Sequence, residues 1–70
     1  MFHAEGIATR IKDLETQRDR LLDELESLDE KHKRGEVDEE TYKKERNRIE
    51  RSIVEVMDRL AQMRFLSGEA

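Results

Sequence analysis

Cysteine is absent from this 70-residue sequence, so its 18 carboxylates and two histidines hold the strongest claim to acid–base or metal chemistry. Glu15, Asp19 and Asp23 recur at four-residue spacing, which would set their carboxyls on one face of a helix. An exposed helix face supplies neither the cleft nor the desolvation that shifts carboxyl pKa values, so these acids read as a solvated surface. His32 has no second ligand at a metal-binding spacing. Its place next to a turn lets it pack on Tyr42 instead. Met1-Phe2-His3 would offer an amine, two amides and an imidazole, the square-planar set that Cu(II) and Ni(II) favour. Third-position histidines also arise by chance, and no metal or cofactor is expected.

Composition narrows the function further. Charged residues make up 46% of the chain and apolar ones 34%, with 14 Lys and Arg against 18 Asp and Glu and a net charge of −4. So few apolar residues, with no Trp, cannot line a deep pocket, and neither an enzyme nor a small-molecule substrate is expected. Apolar runs stop at two residues, as in Leu21-Leu22, Ile53-Val54 and Phe65-Leu66, too short for a membrane span or a signal peptide. The expected location is the cytoplasm.

A mean hydropathy of −1.02 is also typical of unfolded chains, and the pattern decides against that. Ile7, Ile11, Leu14, Arg18, Leu21, Leu25, Leu28 and His32 step alternately by four and three residues, as do Tyr42, Arg46, Ile49, Ile53, Val56, Leu60 and Met63. Two heptad series predict two long helices, about 5–34 and 38–66. Between them, Lys31, His32, Lys33 and Arg34 suit the negative end of a helix dipole, and Gly35 can close the helix in the left-handed conformation. Asp38 is the expected N-cap of the second helix, Glu39 and Glu40 suit its positive first turn, and Val37 is placed to pack on Tyr42. Acid-first pairs Asp29–Lys33, Glu30–Arg34, Glu39–Lys43 and Glu40–Lys44 add lateral support.

A turn at 35–37 makes the two helices antiparallel, giving an all-α, antiparallel two-helix coiled-coil hairpin as one unit over 1–70. Aligned heptads place Leu28 near Arg46, Leu25 by Ile49, Leu21 by Ile53, Leu14 by Leu60 and Ile11 by Met63. Asp29 then lies beside Lys43, and Lys31 beside Glu45. Arg18, His32 and Arg46 interrupt the seam as devices that penalise slipped registers.

One seam shelters each apolar residue on one side only. Leu22, Val54, Met57, Ala61, Phe65 and Leu66 form a further stripe that needs another surface, with Phe2, Ile7 and Ala8 near its far end. Self-association is expected there, as a homodimeric four-helix bundle, or docking of the same stripe on a larger protein.

Leu25-Glu26-Ser27-Leu28, Gly35-Glu36-Val37-Asp38-Glu39-Glu40, Tyr42 and Arg46 together resemble the short helical-hairpin motif of SHOCT-like domains. That resemblance covers about a third of the chain and implies an interaction or oligomerisation piece; here both helices are longer and the motif lies mid-chain. In outline a dimeric hairpin of this size is also similar to Rop-type proteins, which bind paired RNA loops on a bundle face. Residues 31–51 are the only basic zone, with eight cations against six acids. Lys31, Lys33, Arg34, Lys43, Lys44, Arg48 and Arg51 are its candidate phosphate contacts, although acids interleave them. The expectation is therefore a coiled-coil interaction module or regulator, with nucleic-acid binding as the alternative and no membrane role.

Overall fold

The computed structural model describes residues 4–68, so Phe2 and His3 lie outside the described part. Two helices, α1 (Ala4–Lys33) and α2 (Glu39–Ser67), pack against each other, and there is no strand among the described residues. The molecule measures 50 × 20 × 14 Å, a single layer of two rods.

Local chemistry explains where α1 stops. The Glu36 amide donates to the Lys31 carbonyl at 2.9 Å and the Gly35 amide to the His32 carbonyl at 3.1 Å. This paired closure needs a left-handed residue, and Gly35 supplies it with φ +73°. Lys31, His32 and Lys33 occupy the last turn of α1, where a positive charge meets the unpaired carbonyls.

At the start of α2, Asp38 sits at the N-cap with φ −74° and ψ 163°, and its carbonyl accepts the Tyr42 amide at 2.9 Å. The expected side-chain cap is not made, so the exposed first-turn amides are left to water and to the acidic residues Glu39 and Glu40. Of the four lateral pairs expected, Glu40–Lys44 forms, at 3.8 Å. The others are redirected: His32 takes Glu39, Glu36 takes Arg34, and Tyr42 takes Asp29. A partner across the turn is already oriented by the fold, whereas a lateral pair must order two long side chains for a few tenths of a kcal/mol, on the order of 0.2–0.5.

The seam is built from the heptad residues. Ile11, Leu14, Val56 and Leu60 form a buried cluster, with Ile7, Leu21 and Met63 packed against it. Nearer the turn, Leu28 and Ile49 are buried as well. Leu25 and Ile53 are half-buried, because a two-helix layer cannot surround every seam position. Polar links cross between the helices beside this seam: Tyr42 with Asp29, Arg48 with Glu24, and Arg64 with Glu15.

Candidate interaction surface

Turning each residue 100° around its helix sorts the surface into two broad sides. On one side, Val54, Met57, Ala61 and Phe65 follow at spacings of three and four along α2, with Leu22 projecting from α1. All are exposed, the large side chains from 45% for Met57 to 72% for Phe65. Leu66 is 62% exposed but turned a further 100° from Phe65, so it leaves the line of the other four. Ala61, Gln62, Phe65 and Leu66 together line a shallow apolar depression near the end of α2. The stripe thus occupies the half of the molecule away from the turn, next to the buried cluster of Ile11, Leu14, Val56 and Leu60.

Toward the turn, the same side becomes polar. Tyr42 donates its phenolic proton to Asp29 at 2.7 Å and accepts a hydrogen bond from Arg46 at 2.9 Å. His32 stacks on the Tyr42 ring with centroids 3.8 Å apart and planes 8° from parallel, as its place in the alignment suggested. The His32 imidazole also meets the Glu39 carboxylate, which pins the start of α2 to the end of α1. The Asp29 carboxylate holds the Tyr42 hydroxyl above its ordinary range near 10, with partial burial adding to the shift and Arg46 opposing it. Arg46 itself is pushed up, first by its bond to Tyr42 and then by Glu50, whose carboxylate lies 3.5 Å from it. Two of the three polar seam residues therefore serve one cross-helix network. The third, half-buried Arg18, turns to its neighbour Asp19 at 3.1 Å.

The opposite side carries polar grooves. Near the turn, Leu28, Val37 and Ile49 floor a groove rimmed by Glu24, Lys31, Glu45 and Arg48. Val37 is half-buried among these residues. Arg48 donates to Glu45 at 2.8 Å and to Glu24 at 3.3 Å, and these two acids raise its pKa in that order. A second groove is lined by Gln17, Arg20, Leu21, Ser52, Glu55, Val56 and Arg59.

The basic zone is spread over this geometry without convergence. Lys31, Lys33, Arg34, Lys43, Lys44, Arg48 and Arg51 are all exposed, but they point around both helices. Arg34 meets Glu36 at 2.7 Å, Lys44 meets Glu40, and Arg48 bridges two acids, so much of the positive field is neutralised locally. Glu15 and Asp19 are likewise engaged, by Arg64 and Arg18. Among the described residues, no group of three or more His, Asp or Glu could hold a metal ion, and no helix is long and apolar enough to cross a membrane.

Two cross-helix ion pairs escaped the sequence reading, Arg48–Glu24 and Arg64–Glu15. Their signal was present: each sets opposite charges on positions flanking the aligned seam. Each is half-exposed, so it contributes on the order of 0–1 kcal/mol and acts mainly on register. Compared with protein-family models, curated proteins and solved structures, the chain matches none.

Proposed function

We propose that the chain is an antiparallel helical hairpin that works as a non-enzymatic interaction and oligomerisation module, with two copies joining as a four-helix bundle. The crossing contacts support the opposite run of the helices: Tyr42–Asp29, Arg48–Glu24 and Arg64–Glu15 climb α2 while descending α1. One observation carries the assembly: the side chains of Leu22, Val54, Met57, Phe65 and Leu66 are left 45–72% exposed, nearly as many large apolar groups as the six the seam buries. A protein with so small a core gains most from covering them. The SHOCT-like turn is in keeping with the same role.

Sedimentation equilibrium tests the reading. The wild-type chain is expected at twice its 8.4 kDa at micromolar concentration, and the double variant Met57→Lys, Phe65→Lys at the single mass. A charge in an apolar contact is costly to desolvate, so the variant should separate the copies while leaving the helices largely in place. A wild-type chain found only at the single mass would remove the proposal.

A further inference from the structure

The polar side of the hairpin, away from the stripe, holds a groove midway along the molecule that both helices line. Arg20 lines it from α1 and Arg59 from α2; both are exposed, and neither forms an ion pair with another described residue. The cause is local. Glu24, four residues after Arg20, bridges to Arg48 at 3.3 Å instead, and Glu55, four residues before Arg59, lines the groove beyond ion-pair reach. Neither arginine belongs to the basic zone of residues 31–51, whose cations do not converge.

Ser52 and Gln17 add a hydroxyl and an amide to the same lining, and Leu21 and Val56 form its floor. Arg20 and Arg59 against Glu55 leave the groove at +1 on a chain of −4. One heptad away, Arg10 and Asp13 offset each other. The groove nearer the turn has no such excess, because Lys31 and Arg48 are balanced there by Glu24 and Glu45. Two guanidiniums without acid partners suit an oxyanion of more than one charge, since each presents a fork of N–H donors. A phosphate monoester meets that description, with about −1.5 to −2 charge and three acceptor oxygens. Carried on a free small molecule it would stay mostly in water, because the groove's 280 Å³ falls below the ~300–1,000 Å³ of sites that enclose such ligands. Carried on a protein it needs no enclosure, as the rest of the partner supplies contact.

We infer that this groove receives a phosphorylated side chain of another protein. Arg20 and Arg59 hold the phosphate oxygens from opposite helices, Ser52 and Gln17 donate to those left over, and the carbon stem of the side chain rests on Leu21 and Val56. Glu55 opposes the incoming charge and so limits the affinity. The site goes beyond self-association and stands whether or not two copies pair, because the stripe lies on the other side.

The test is a nuclear magnetic resonance titration of the isotope-labelled chain at about 150 mM salt, where loose surface attraction is largely screened. The probe is the capped peptide acetyl-Ala-Ala-phosphoserine-Ala-Ala-amide, compared with its Ser and Glu counterparts and with inorganic phosphate. The phosphopeptide should give saturable shifts centred on the amides of Gln17, Arg20, Ser52 and Arg59, with inorganic phosphate weaker at the same positions and the Ser and Glu peptides weaker still. Arg20→Gln and Arg59→Gln should each lower the affinity about tenfold or more, the size of a lost hydrogen bond to a charged group. Glu55→Gln should raise it. Lys43→Gln removes the same charge on the side of Met57 and should leave it unchanged. All four positions are exposed, so the helices themselves are kept. No saturable shift, shifts centred on the basic zone, or a loss in Lys43→Gln equal to that in Arg20→Gln would overturn the site. Inorganic phosphate binding as tightly as the phosphopeptide would overturn the protein side chain as its source, and equal binding of the Glu peptide would overturn phosphate as its ligand.

Discussion

Tyr42 carries more of the turn than its single ring suggests. Its hydroxyl joins Asp29 on α1 to Arg46 on α2, and its ring holds His32. Because the carboxylate favours the neutral phenol, folding raises the Tyr42 pKa above its ordinary value of 10.0. The unfolded chain therefore releases this proton first as pH rises. The stability linked to the phenol is fully present below about pH 10 and is lost as pH climbs through the raised value. Tyr42 is the only tyrosine and there is no Trp, so ultraviolet absorbance of tyrosinate reports it directly. The expected titration midpoint lies above that of the urea-unfolded chain, and Tyr42→Phe should flatten the alkaline decline in melting temperature. Coincident midpoints would show the Asp29 bond to be absent in solution. At Gly35 the effect is steric: φ is +73° and an added Cβ meets nothing within 4 Å, so Gly35→Ala costs only the backbone's left-handed penalty. A loss of about 1–2 kcal/mol in urea denaturation is expected.

At the scale of the helices, ends and middles respond differently. Capping carboxylates ordinarily contribute about 0.5–2 kcal/mol, but Asp38 makes no side-chain cap bond. Asp38→Ala should therefore change stability by no more than about 0.5 kcal/mol, the size of an ordinary surface effect. A loss of a full cap's worth in chemical denaturation would mean that the carboxylate reaches the Thr41 amide in solution. The middle of the seam behaves otherwise. Leu60 is 1% exposed within the cluster of Ile11, Leu14 and Val56, and Leu60→Ala should cost about 2–5 kcal/mol by leaving a cavity. That is a large share of what a 70-residue chain can hold in reserve, so the variant should show a depressed melt by circular dichroism. A melt unchanged from wild type would mean that Leu60 lies outside the packed seam.

The whole molecule is one layer thick, and the proposed assembly supplies the second layer that a core requires. If folding and pairing are linked, the melting temperature rises with protein concentration. That dependence is expected for the wild-type chain between about 1 and 100 µM and should vanish in Met57→Lys, Phe65→Lys, where the copies part. A wild-type melt independent of concentration would deny the linkage.

The two helices and their seam were legible in the order of residues alone. Heptad spacing sets which residues share a face, and no distant contact is needed to establish it; Leu14, Val56 and Leu60 are buried where that spacing put them. Gly35, with cations before it and acids after it, marked the turn for equally local reasons. Exposure of Val54 and Phe65 was legible too, because a side chain more than a quarter-turn from the seam cannot reach it. The polar partners, by contrast, were set by how one helix packs on the other. Asp29 had Lys33, Lys43 and Tyr42 within reach, and the choice of Tyr42 depends on where the second helix sets its hydroxyl. Charged side chains have several nearly equal options a few ångströms apart, and each differs by less than about 1 kcal/mol. Apolar side chains have one inside, and periodicity alone reveals it.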